Sequence, residues 1–267
     1  MRTISWPCPW LVQRMQIYLE LSKWRVTCLM LITVWVGMTL ASSTPVAWQL
    51  SFFTLLGIGL IASAAGALNH LLERHLDSQM ARTERRPLPQ GKISSLHVLL
   101  FSITAGLSGL SLLSLFTNPL TGFLSLISLI GYAFFYTLYL KHHTPQNIGI
   151  GGLAGAMPPL LGWTAISGNI DPGGLILVLI IFIWTPPHFW SLAIARHADY
   201  AKSNLPMLTV THGIAFTKQQ ILLYTLLLSG ISLLPFSIGI SGLFYLFSAL
   251  LLNCGFIVAA ANLLKQT

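Results

Sequence analysis

Residues 52–68 read FFTLLGIGLIASAAGAL, seventeen side chains in a row without a charge. Runs of this kind recur along the chain, and they are continuous rather than alternating in steps of two. A stretch of that length and apolarity crosses the roughly 30 Å hydrocarbon layer as a helix. In lipid every backbone N–H and C=O must be satisfied within the structure, which leaves helices or closed barrels. Continuous apolar runs select helices, because a membrane strand alternates lipid-facing with lumen-facing residues. Only 7% of the residues are charged, against about 25% in a soluble domain. So few charges cannot coat a water-soluble globule.

The expected fold class is therefore all-α, a polytopic membrane helical bundle of about eight transmembrane helices around a central cavity open to the cytoplasmic face. Residues 1–267 form a single domain, with 1–25 as a mildly basic segment suited to lie along the membrane interface. The expected spans are about 26–44, 50–69, 96–116, 120–140, 148–166, 173–194, 219–239 and 242–263. All fourteen Lys and Arg fall on one side of this arrangement: before span one, after spans two, four and six, or at the C-terminal end. Under the positive-inside rule that side is cytoplasmic, which suggests a bacterial inner membrane. The same topology accounts for the net charge of +8, and no aromatic-and-basic platform points to nucleic acid. The three cysteines have no metal-binding spacing.

Directly after the run at 52–68 comes NHLLERHLDSQMARTERRPLPQG, where seven of the chain's twenty charged residues lie between Asn69 and Pro89. Asn69, Glu73 and Asp77 stand at i, i+4 and i+8. Four residues turn a helix by about 400° and advance it about 6 Å, so the three project from nearly one face. Two carboxylates and an amide make a hard oxygen surface suited to Mg²⁺, which readily shares a substrate phosphate. Arg82, Arg85 and Arg86 follow where the chain can fold back, and guanidinium groups bind phosphate oxygens through paired donors. Together these groups describe a diphosphate site at the membrane face. A solvated loop whose acids pair with its own arginines is the simpler reading, but the row starts on the apolar helix itself, and ionisable groups at that depth are usually functional.

A second segment, WTPPHFWSLAIARHADYAKSNLPMLTVTHG, occupies residues 184–213. Asp199 is its only acid, with Lys202 one helical turn on, in the position after span six that Asp77 holds after span two. His188 near the end of span six can ligate a heme iron, contact a propionate, or bond a carbonyl freed by Pro186 or Pro187. In NIGIGGLAGAMPPLLGW, Gly151 and Gly155 suggest close helix packing before a proline kink. Asn147, at the mouth of that helix, is a candidate substrate contact. Tyr136 and Tyr139 read as an interfacial girdle.

These residues carry a resemblance. The segments YLELSKWRVTCLMLIT, NHLLERHLDSQMARTERRPLPQGKIS, YTLYLKHHTPQNIGIGGLAGAMPPLLGWTA and WTPPHFWSLAIARHADYAKSNLPML, in order from about residue 18 to 210, are similar to the protoheme IX farnesyltransferases (heme O synthases) of the intramembrane UbiA-type prenyltransferases. The resemblance implies transfer of the farnesyl group of farnesyl diphosphate to a vinyl group of heme B with addition of water, for heme O and heme A biosynthesis. It implies Mg²⁺ held by Asn69, Glu73, Asp77 and Asp199, and a diphosphate neutralised by Arg82, Arg86 and Lys202. It also implies membrane lipid as surroundings, and a heme A synthase or a terminal oxidase as a possible contact. The chain departs from the family pattern in carrying Glu73 for the more usual Asp, Ala198 before a lone Asp199, Trp24 for Pro, and eight expected spans rather than nine. Two other readings compete: a relative of the same architecture acting on a quinone precursor, and a transporter or heme-binding scaffold without enzymatic activity.

Overall fold

The structure, a computed structural model, describes residues 9–80, 83–202 and 206–266, and all of the regular structure among them is helical. Helix α1 (Pro9–Leu21) leads into α2 (Trp24–Ala41) and α3 (Trp48–Leu72), which runs into the short α4 (Arg74–Asp77). After the charged loop come α5 (Ser95–Phe116) and α6 (Pro119–Ile130), the latter continuing as a π-helical segment, Gly131–Leu140, and then α7 (Lys141–His143). Helices α8 (Asn147–Ala156) and α9 (Pro158–Ser167) follow in tandem, and α10 (Pro172–Ala195) returns alongside them. Helices α11 (His197–Lys202), α12 (Leu208–Thr211), α13 (Gly213–Ile231), α14 (Leu234–Ser237) and α15 (Leu243–Lys265) complete the chain.

Seven helices among the described residues are long and apolar enough to cross a membrane. The fifth expected span, 148–166, is divided: α8 ends at Ala156, and Pro158 and Pro159 open α9 at its first two positions. A proline lacks an N–H and fits most easily in a first helical turn, and here the pair opens a new helix, whereas Pro186 and Pro187 are carried inside α10.

Lipid tails are as apolar as leucine, so close van der Waals packing, not expulsion from water, holds such helices together. Helices α2 and α9 cross at two glycines. A Cβ on Gly162 would lie 2.0 Å from the Val34 carbonyl oxygen, and one on Gly37 would lie 2.0 Å from that of Pro159. Helices α3 and α5 meet in the same way, with a Cβ on Gly109 falling 2.6 Å from the Gly57 carbonyl oxygen. The expected glycine packing on α8 belongs to Gly151, against the Tyr136 ring, and to its neighbour Gly152, against Thr185; Gly155 faces open space. Tyr136 is thus part of a helix contact, while Tyr139 is exposed and stacks on His143. Buried threonine pairs add polar links, Thr121 to Thr164 at 2.9 Å and Thr54 to Thr117 at 3.3 Å.

The N-terminal helix α1 packs through Ile17, Tyr18 and Leu21 against α3 and α5 and leaves Trp10, Leu11 and Met15 exposed. An apolar outer face of this kind fits a helix lying at the membrane interface. At the other end of the chain, Lys218 on α13 donates to the Gln266 carbonyl at 2.5 Å and closes the C-terminal end of α15.

Candidate active site

The polar row forms where α3 gives way to α4. Glu73 N–H donates to the Asn69 carbonyl at 3.0 Å and Asp77 N–H to the Glu73 carbonyl at 2.8 Å, so the helical register carries across the junction. All three side chains are buried: Asn69 is 3% exposed, Glu73 8% and Asp77 2%. Charges at that depth need partners, and each member of the row has one from a different part of the chain.

Lys23 Nζ donates to Asn69 Oδ1 at 2.6 Å, Lys141 pairs with the Glu73 carboxylate, and Arg86 donates to Asp77 Oδ2 at 2.6 Å. The charged loop is folded back onto the row by Thr83, whose hydroxyl donates to the Asp77 carbonyl at 2.9 Å. Of the three arginines, Arg86 therefore reaches the row, Arg85 is exposed, and Arg82 lies outside the described residues.

The π-helical segment supplies the opposite wall. Asn69 Nδ2 donates to Thr137 Oγ1 at 3.2 Å, and that hydroxyl donates to the Tyr132 carbonyl five residues back at 2.9 Å. Tyr132 in turn accepts from Lys23 at 3.1 Å. In an ordinary α-helix residues five apart are turned about 140° from each other. Here the wider π-turn lets Tyr132, Thr137 and Lys141 all face α3, and such turns recur at functional sites. Lys23 itself has φ 48°, the only positive φ outside glycine among the described residues. A lysine in that conformation costs of order 1 kcal/mol or more, which the surrounding contacts offset as they hold the amine over the row.

Lys23, Tyr132, Thr137 and Lys141 are members of the site that sequence reasoning missed. The signal available for Lys141 was a lone cation at the end of an apolar span. Lys23 had only its place in the first resembling segment.

The second charged segment comes to the same end of the bundle. Leu76, between Glu73 and Asp77, and Tyr200, next to Asp199, both pack against one buried cluster that includes Ile148, Trp190, Met207 and Leu208. Asp199 and Lys202 are exposed on α11. His188 points elsewhere: its ring stacks on Trp184 at 4.3 Å and meets Phe189 edge-on at 5.1 Å. Trp184 and Phe189 are exposed, whereas Trp190, two residues after His188 and so about 200° around the helix from it, is buried. An apolar hollow of about 230 Å³ between α3, α5 and α6, lined by residues such as Ile61, Leu68, Gly106 and Leu129, opens on the neighbouring flank of α3.

A buried row of hard oxygen donors, edged by cations at the end of a membrane bundle, is suited to a charged headgroup whose tail lies in lipid. Residues 30–267 match the UbiA prenyltransferase family. The chain belongs to that family. Among curated relatives, it is 58% identical to the protoheme IX farnesyltransferase of Legionella pneumophila (strain Paris) over 246 residues, 92% of this chain and 84% of that one. It is 56% identical to the protoheme IX farnesyltransferase of Azotobacter vinelandii over 250 residues, 94% and 84% of the two chains.

UbiA-family structures share its fold. A digeranylgeranylglyceryl phosphate synthase matches with a TM-score of 0.79 at 23% identity, over 95% of this chain and 88% of that one. A UbiA homologue from Archaeoglobus fulgidus, bound to GPP and Mg²⁺, matches with a TM-score of 0.69 at 16% identity, over 93% and 86%. This UbiA-family chain is accordingly a multi-pass membrane protein and a prenyltransferase.

Proposed function

We propose that this chain transfers the farnesyl group of farnesyl diphosphate to a vinyl group of heme B, with addition of water, to make heme O. The observation that carries the reading is the buried row Asn69–Glu73–Asp77 with its three cations from separate segments, in a chain most of whose length matches protoheme IX farnesyltransferases.

The row fits a divalent cation. Its donors are hard oxygens, and among the described residues no three His, Cys, Asp or Glu side chains gather closely enough to hold an ion alone. An ion held by two carboxylates and an amide would complete its coordination with water and substrate oxygens, which is the habit of Mg²⁺. Asn69, Glu73 and Asp77 would hold it, with Asp199 as the acid offered by the second segment. When bound, Mg²⁺ supplies Lewis-acid neutralisation of the leaving diphosphate.

The side chains do the rest. Cleavage of the allylic C–O bond builds negative charge on the departing oxygen, and Lys23, Lys141 and Arg86 are already gathered where that charge appears. Oriented charges in a water-poor site stabilise the transition state with little reorganisation. The lipid-embedded helices keep bulk water from the allylic cation. Arg82 and Lys202 belong to the same reading as further diphosphate contacts, and His188 as a contact for heme approaching along the exposed aromatic side of α10.

Purified protein given heme B, farnesyl diphosphate and Mg²⁺ should yield a heme heavier by one farnesyl group and one water, with turnover abolished by a chelator and restored by Mg²⁺. Farnesylation of 4-hydroxybenzoate but not of heme would assign the chain to quinone-type substrates instead. No diphosphate release from any prenyl donor would return it to the transporter or scaffold reading.

The orientation belongs to the same proposal: the row and the N-terminus face the cytoplasm across a bacterial inner membrane, as the one-sided basic residues favour. A cysteine placed at the exposed Gln90 should react with an impermeant thiol reagent in inverted vesicles and not in intact cells; the opposite pattern would reverse the topology.

A further inference from the structure

Asn69 differs from the other members of the row in having two unlike ends. Its amide presents an oxygen at one end and an NH₂ at the other, and only the oxygen can hold a cation. The carboxylates of Glu73 and Asp77 serve in either orientation. For Asn69 the surroundings must choose, and the hydrogen bonds around it do so.

These bonds form a chain that runs in a single direction. The Lys23 ammonium donates to Asn69 Oδ1 at 2.6 Å, Asn69 Nδ2 donates to Thr137 Oγ1 at 3.2 Å, and Thr137 Oγ1 donates to the Tyr132 carbonyl at 2.9 Å. An ammonium has no acceptor and a backbone carbonyl has no proton, so neither end can reverse and every link between them is fixed. A flipped amide would set its NH₂ against the ammonium, donor against donor, and would ask Thr137 to donate twice with one proton. Asn69 and Thr137 are both buried, so bulk water replaces neither partner.

The π-helical segment sets how the Thr137 hydroxyl is anchored. On regular helices Thr185, Thr217 and Thr225 donate to the carbonyl four residues back, a common habit of threonine. Thr137 reaches five residues back, along the wider turn of Gly131–Leu140. Its single proton is committed to the backbone, which leaves only lone pairs for Asn69. Tyr132 joins the two ends of the chain, since its ring hydroxyl accepts from Lys23 at 3.1 Å while its carbonyl accepts from Thr137.

We propose that Thr137 is a positioning residue: it holds the Asn69 amide with its oxygen turned to the cation side of the row, so that Asn69 offers that oxygen to a divalent ion. Lys23 takes one of the two acceptor sites on Oδ1, and the second is the one offered. The proposal rests on the reading of the row as a site for a diphosphate and its divalent ion, and deepens it by naming the residue on which the amide ligand depends. Without the Thr137 oxygen, Nδ2 would lose its acceptor, and the amide could turn its N–H donors toward the ion.

Binding without turnover tests this role. Mn²⁺ takes the same hard oxygen ligands as Mg²⁺, and its uptake is read by electron paramagnetic resonance in purified protein with a farnesyl phosphonophosphate, whose C–P bond does not break. In Thr137→Val, which keeps the shape and removes the hydroxyl, the Mn²⁺ Kd should rise about tenfold, the scale of one hydrogen bond. Thr137→Ser keeps the hydroxyl and should bind within about twofold of wild type. Thr54→Val removes another buried threonine hydroxyl on α3, about 22 Å along the helix from Asn69, and should lower the thermal midpoint without moving the Kd. In an Asn69→Asp background, Thr137→Val should raise the Kd less than about threefold, because the two oxygens of a carboxylate need no orienting. An unchanged Kd in Thr137→Val, or an equal loss in both backgrounds, would overturn the proposal and leave Thr137 a packing role. If Thr137→Val does not accumulate, Thr137→Ala reads the same Kd. A wild-type protein that takes up no Mn²⁺ with the analogue would sink the divalent-ion reading of the row itself, and this proposal with it.

Discussion

Asp77→Asn should cut farnesyl transfer by about 10²–10³-fold, the scale on which removing one preorganised electrostatic group acts, and leave the protein folded in detergent. The substitution is nearly isosteric and keeps an oxygen that Arg86 can donate to. Its backbone role is untouched, because Thr83 bonds the Asp77 carbonyl and not its side chain. What disappears is one negative charge in a row where each acid balances a cation, together with one hard anionic oxygen for a divalent ion. The cost in stability should be small. The Arg86 side chain keeps 19% of its surface accessible and can turn to water, so the broken pair behaves more like a partly exposed salt bridge, worth about 1 kcal/mol or less, than a sealed one. Turnover measured beside the thermal midpoint separates the two effects. A variant that keeps turnover within a few-fold of wild type would remove Asp77 from the machinery.

The parts of this site that were legible in the sequence are the parts that local chemistry specifies. Asn69, Glu73 and Asp77 announced themselves because a spacing of four maps directly onto one helical face, and the register persists even where α3 passes into α4. Arg86 could be expected because a loop of a few residues can fold back. Lys23 and Lys141 could not be expected in the same way, since they meet their partners across 46 and 68 residues. Their basic character had a sufficient explanation in membrane topology.

The π-turn was hidden for a related reason. GYAFFYTLYL is apolar all round, so no face betrays a change of period, and only the pairing of Thr137 with Asn69 shows what the change achieves. The spans followed from unbroken apolar runs. The break before Pro158 did not, because both sides of it are equally apolar; the prolines suggested a bend, and the chain stops and restarts a helix there. Asn147 was visible as a residue at a helix mouth. That its amide has no hydrogen-bond partner among the described residues is a property of the packed interior and could be learned only there.

The second large effect concerns how the site is held. Gly162→Val should strongly destabilise the protein, by about 3 kcal/mol or more, whereas Gly155→Val should be close to neutral. Both glycines lie in the same apolar stretch, and sequence alone gives no reason to rank them. The difference is what a side chain would meet: at Gly162 the first carbon would fall 2.0 Å from the Val34 carbonyl oxygen, and at Gly155 nothing lies within 4 Å.

A flexible side chain could move aside at small cost, but a backbone oxygen inside a helix cannot, so α2 and α9 must part. Overpacking of a well-filled contact costs about 1–3 kcal/mol when neighbours can adjust, and here the obstruction is the main chain of a partner helix. Separation is costly in lipid, where close contact is the main force joining the helices. It also reaches the chemistry, because α2 begins immediately after Lys23, whose amine bonds Asn69 and Tyr132. Residual Gly162→Val protein should therefore show weakened binding of the prenyl diphosphate in addition to a lowered thermal midpoint. Equal midpoints for the two valine variants would mean that the α2–α9 crossing does not govern stability and that Lys23 is positioned by its local contacts alone.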